Sequence, residues 1–113
     1  MKPDLIMRAL LSSVEVLAAP PARQIGYLVP LRLGTMVDEL ALEFDGFYVV
    51  AAPIMDELGW SGVVESALAL LDAQLKSMSG QAHANLWTTD ALVSAPEWSK
   101  VRELAAIALE AAR

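Results

Sequence analysis

The stretch VVESALALLDAQLKSMSG, residues 63–80, carries the clearest periodicity in the chain. Val64, Leu68, Leu71, Leu75 and Met78 recur at spacings of 4, 3, 4 and 3. Those steps keep apolar side chains on one side of a helix with 3.6 residues per turn. A half-buried strand would need strict alternation, which is missing here. The expected helix covers 61–78, with Ser61 as N-cap and Gly80 just beyond its C-terminus. Its seam spans about two heptads, short of the three or four that mark a coiled coil, so it predicts one member of an antiparallel bundle.

Working outward, Pro and Gly separate further apolar-periodic segments. In 4–18, Leu5, Ile6, Ala9, Leu10, Val14 and Leu17 recur at helical spacing, with Asp4 placed to cap the start. Pro20 and Pro21 stop this helix, because neither can supply a backbone N–H. Pro21 can then open a short second helix over 21–29, with Pro30 and Gly34 framing its exit. A third helix is expected near Thr35 or Met36, with Thr35 as N-cap. Met36, Val37, Leu40, Ala41, Phe44, Phe47 and Tyr48 fall on one arc of it. Gly46 and the run Tyr48-Val49-Val50 weaken it, a short strand being the alternative there, and Pro53 bends or ends it. One or two short helical turns are expected over 81–93. Ser94-Ala95-Pro96-Glu97 reads as a capping box that opens a last helix over about 95–112. Trp98, Val101, Leu104, Ala105, Ala108 and Ala112 would line its inner side. The predicted class is all-α: a single-domain bundle, 1–113, of four main helices plus one or two short ones. Alternating βαβ signals are absent, which argues against an α/β fold.

Composition narrows the chemistry. The 113 residues suit one domain, with 56% hydrophobic and 19% charged residues, the reverse of a disordered chain. There is no cysteine, so disulfides, thiolate catalysis and cysteine-based metal centres are excluded, and a reducing compartment fits. No run approaches the roughly 20 apolar residues of a membrane span. The N-terminal stretch is interrupted by Asp4, Arg8 and Glu15, so it reads as an amphipathic helix rather than a signal peptide, and the expected location is cytoplasmic.

The net charge of −6 is unevenly placed. Residues 38–72 hold eight acids and no Lys or Arg, whereas 1–37 hold four basic residues and two acids. Such a segment disfavours nucleic acid, whose binding rests on Lys and Arg at phosphates. It suits solubility, or a protein partner with a basic surface.

Four of those acids, Asp38, Glu39, Glu43 and Asp45, open the third helix. Asp38 and Asp45 share an azimuth but stand about 10.5 Å apart along the axis, too far to share an ion. No Glu-x-x-His pair, calcium loop, phosphate-cradling glycine motif or G-x-S-x-G is present. His83 is the only histidine, and no nucleophile motif accompanies it. No catalytic residue, metal ligand or cofactor site is therefore expected. Leu42 and Val49 stand among the acids like the apolar centre of a polar-rimmed contact patch. The expected partner-binding residues are Asp38, Glu39, Leu42, Glu43, Asp45, Val49 and Trp60.

Taken together, DELALEFD (38–45), LDAQLKSMSG (71–80), LWTTDAL (86–92) and PEWSKVRELA (96–105) resemble small acidic bacterial proteins of the toxin-immunity type. The resemblance covers about 37–108 and contains no catalytic motif. It implies a non-enzymatic protein that binds and blocks a toxin domain, and it transfers no functional residue. The alternatives are a structural or regulatory homodimer, joined through the 64–78 seam or exposed Trp residues, and a small metal-dependent hydrolase.

Overall fold

Helix α1, Pro3–Ala18, ends where Pro20 and Pro21 remove two backbone donors. In an uninterrupted helix those two N–H groups would bond the carbonyls of Val16 and Leu17. The side chain of Gln24 replaces them. Its Nε2 donates to Val16 O at 3.1 Å and to Leu17 O at 3.0 Å. Gln24 is fully buried, in helix α2, Pro21–Leu28, and its Oε1 accepts from Arg102 at 3.2 Å. The double proline that breaks the chain thus also creates the need for this buried amide.

The computed structural model describes residues 3–28, 37–60 and 62–112. The further helices are α3, Asp38–Ala51; α4, Gly62–Ser77; α5, Thr89–Ser94; and α6, Pro96–Ala111. Two 3-10 turns, Ala52–Ile54 and Gln81–Leu86, complete the order. No strand occurs among the described residues, and the fold is all-α. The radius of gyration is 13.7 Å, close to the ~13 Å of a folded domain of about 100 residues.

The α4 seam is buried throughout: Val64, Leu68, Leu71, Leu75 and Met78. It packs on α6, which also packs on α1, and α1 packs on α3. The buried side of α6 is Trp98, Val101, Ala105 and Ala108, and the two alanines allow close approach to its neighbours. In α1, Ile6, Leu10, Val14 and Leu17 are buried as their spacing requires, while Leu5 is exposed. At α3, the N-cap Val37 and, within the helix, Leu40 and Phe44 are buried, and Ala41, Phe47 and Tyr48 pack partly buried against the core. Met36, the Thr35 and Ser61 caps and the 30–34 exit lie outside the described residues.

One open alternative is decided and two local expectations change. Tyr48-Val49-Val50 is helical, not extended, and α3 runs through Gly46 to Ala51. Pro53 then lacks the N–H that Val49 O would accept, and the chain tightens into a 3-10 turn. The helix over 4–18 begins one residue earlier, at Pro3, so Asp4 lies within its first turn. The capping box does not form: Ser94 ends α5, and its hydroxyl donates back to Asp90 O at 2.8 Å. Pro96 holds the preceding Ala95 extended, at φ −75° and ψ 134°, so Ala95 is the N-cap and offers no side-chain acceptor. The hydroxyl cap is instead Thr88, which accepts from Ala91 N at 3.1 Å at the start of α5.

Candidate functional site

Helix α3 stands as a ridge with hollows on both sides. It packs on α1, and it faces α4 across a gap rather than in close contact. The 3.6-residue period places Asp38, Leu42, Asp45 and Val49 along its outer crest, opposite the buried Leu40 and Phe44. Leu42 is 55% exposed and Val49 62% exposed.

Leu42 lines three hollows. On the α4 side, one of about 250 Å³ is bordered by Asp45, Asp72, Lys76 and Leu75. Next to it, one of about 410 Å³ runs from Asp38 and Ala41 to Gly80, Gln81 and Trp87. On the α1 side, a groove of about 460 Å³ is lined by Ile6, Leu42, Glu43, Gly46, Phe47 and Val50. Helix α3 therefore carries six of the seven expected partner residues: Asp38, Leu42, Glu43 and Asp45 border the hollows, and Val49 lies on the crest. Glu39 is half-buried on the α1 flank, one turn before Glu43. Trp60 is not brought to these hollows; it is half-buried beyond the Met55–Gly59 turns, packed against the core.

Each wall is held by a specific contact. Trp87 Nε1 donates to Met78 O at 2.8 Å, and its ring meets Trp98 edge-on at 5.3 Å. Trp98 Nε1 donates in turn to Leu86 O at 2.6 Å. Gly80, at φ 100°, turns the chain between α4 and that wall, a conformation that glycine adopts without strain. On the other flank, the Tyr27 hydroxyl lies 2.8 Å from each carboxylate oxygen of Glu43, tying α2 to α3.

The electrostatics are less one-sided than the base-free segment 38–72 suggests. Lys76, four residues past that segment, folds back to pair with Asp72 at 2.9 Å. The hydrogen bond and charge of Asp72, with the charge of Asp45, raise the Lys76 ammonium above its ordinary range. Tyr48 is raised by burial and then by Asp72 and Glu65. Tyr27 is raised by its hydrogen bond to Glu43 and by burial. The four acids of 38–45 thus do different work: Glu43 is bound internally, whereas Asp38 is exposed beside the larger α4-side hollow.

Sequence reasoning missed Tyr27, Lys76 and Trp87 as parts of this region. Only Lys76 carries a readable signal, its i,i+4 relation to Asp72. His83 is exposed at a kink within the 3-10 turn. Among the described residues, no group of three or more His, Asp or Glu is placed to hold a metal, and no buried side-chain nitrogen or oxygen lacks a partner. No helix among them is long and apolar enough to cross a membrane.

A scan against protein-family models, a search of curated proteins and a search of solved structures each return no match to this chain.

Proposed function

We propose that the protein is a non-enzymatic binding protein, an immunity or antitoxin-like inhibitor whose α3 ridge occludes a basic surface of a toxin domain. The observation that carries this reading is the α3 crest, where exposed Leu42 and Val49 alternate with Asp38 and Asp45 above hollows on either side. Apolar side chains would supply the desolvated centre of the contact, and the carboxylates its rim. Attraction between the acidic ridge and a basic partner would mainly raise the association rate. Trp60, packed against the core and lining none of these hollows, falls outside this contact. The resemblance to toxin-immunity proteins supplies the partner class.

The test is association with the product of the adjacent gene. Replacing Asp38, Glu39, Glu43 and Asp45 by their amides is expected to slow association by about tenfold or more and to flatten its salt dependence. Unchanged binding with unchanged salt dependence removes the ridge from the interface.

A homodimer is the second reading. The 64–78 seam cannot serve it, because the chain's own core buries that seam. What favours it is the pair Val63 and Leu70, both exposed and seven residues apart on the outer side of α4. Light scattering at high concentration decides: a monomer leaves that pair as ordinary surface.

A further inference from the structure

We infer that the groove between α1 and α3 receives an amphipathic, basic helix of a protein partner. An apolar side chain would enter between Ile6, Phe47 and Val50, and a Lys or Arg would pair with Glu43. This rests on the binding role proposed above and specifies the element of the partner that docks.

Three observations support the assignment. The groove is apolar apart from Glu43, and its edges, Leu42 and Val50, are 55% and 52% exposed. At its floor, a Cβ added to Gly46 would meet nothing within 4 Å, so a partner backbone can come close. Glu43 is already oriented, because the Tyr27 hydroxyl holds its carboxylate at 2.8 Å. A hydroxyl donates one proton, whereas a carboxylate offers about four acceptor positions, so Glu43 keeps room for a cation. Holding it in advance lowers the ordering cost of binding.

The occupant follows from the same chemistry. No strand edge exists among the described residues, so an extended segment has no sheet to join. Two helices form the walls, and a third can pack its ridge between them. Among the described residues, no Lys or Arg lines the groove, and Glu39 stands one turn before Glu43 on the same flank, so the charge complement of these carboxylates is basic.

The experiment is a selection. A displayed library of helices of about 16 residues, long enough to hold some structure alone, is panned on the full chain and on its Gly46→Trp and Val50→Lys variants. Both substitutions fall on exposed positions, and circular dichroism verifies that the variants fold. Enriched sequences should carry apolar residues at i, i+3 or i+4 and i+7 flanked by Lys or Arg, and should lose about tenfold or more in affinity on both variants. Tyr27→Phe should weaken an enriched peptide about threefold to tenfold while leaving unchanged a version with its basic residues made neutral. Enrichment of acidic sequences, equal capture by the folded variants, or no enrichment overturns the inference. Basic peptides without an apolar anchor, lost on Asp38→Asn/Asp45→Asn but not on Gly46→Trp, overturn the groove and leave the acidic ridge standing. Groove-binding peptides together with an adjacent-gene product that ignores the ridge would do the reverse. Sedimentation showing a dimer that Gly46→Trp abolishes assigns the groove to a second copy and also overturns the inference.

Discussion

Helices α6 and α3 both lie against α1, and their neighbours differ on the far side. Helix α6 also packs closely on α4, whereas α3 leaves a gap before α4. Side chains of different size face the two interfaces. Ala105 and Ala108 let α6 sit close to its partners, and Ala67 of α4 does the same. Across the molecule, Phe44 and Tyr48 stack at 5.2 Å on α3, and Phe44 lines the smaller hollow beside α4. Small buried residues bring helix axes together, and large ones hold them apart. The close-packed side supplies stability, and the loosely packed side supplies the hollows that a partner could use.

The largest effect should separate the two sides outright. Trp98→Ala removes a fully buried anchor of α6 together with the hydrogen bond to Leu86 O. It should cost about 3–5 kcal/mol in urea denaturation. Leu42→Ala on the α3 crest should change stability by no more than about 0.5 kcal/mol, since that side chain is exposed. Comparable losses from both would mean that the α3 ridge belongs to the core.

Next comes Gln24→Leu. The substitution keeps an apolar-compatible volume but leaves Leu17 O and the Arg102 guanidinium short of a partner, and Val16 O with only the Ala19 amide. Arg102 also donates to Leu92 O at 3.0 Å, and burial lowers its pKa. A loss of about 1–3 kcal/mol is expected, measured by chemical denaturation. A neutral result would mean that water replaces the amide at the α1 C-terminus.

Much of the fold was legible because helix periodicity and proline punctuation act locally. The 4, 3, 4, 3 seam of 64–78, the α1 stripe and the Pro20-Pro21 break each depend on residues within a few turns. The Gln24 cap was not legible, because it answers a deficit eight residues away through a tertiary contact. The capping box misled for a different reason: Ser94 had two uses, and α5 claimed it first. At the candidate site, spacing correctly kept the acids off the buried arc. It could not show that Glu43 would meet Tyr27, or that Lys76 would return among the acids, since both depend on how helices are placed side by side.

A single operation should give opposite signs on the two sides. Ala105→Leu adds carbon to the close-packed α6 interface and should cost about 1–3 kcal/mol. Gly46→Ala adds carbon to the exposed middle of α3, where the Cβ meets open space. It should stabilise by about 0.5–1 kcal/mol, because alanine is the better helix former. Thermal melts of the two variants read both signs, and a destabilising Gly46→Ala would show that the groove floor is already occupied.

The smallest expected effect is alkaline, and it falls on the α3 side. Tyr27 and Tyr48 both titrate above the ordinary phenol value of 10.0, Tyr27 through Glu43 and Tyr48 through burial and then Asp72. The folded chain therefore favours the neutral phenols. Their contribution is complete below pH 10 and is lost as pH rises through the raised folded values. Lys76 acts in the same direction: its pairing with Asp72 favours the charged ammonium, and that benefit disappears as the ammonium loses its proton. Tyr48 lies on α3, and Tyr27 and Lys76 come from the helices beside it, whereas α6 contains no tyrosine. Thermal melts between pH 8 and about 11 should thus fall on the alkaline side. Tyr27→Phe should flatten part of that fall while lowering stability slightly near neutrality, because it removes the Glu43 hydrogen bond and the titration together. A variant that melts in parallel with the parent across the whole range would show that Tyr27 and Glu43 do not interact in solution. The α3 ridge would then lose the contact that holds its carboxylate in place.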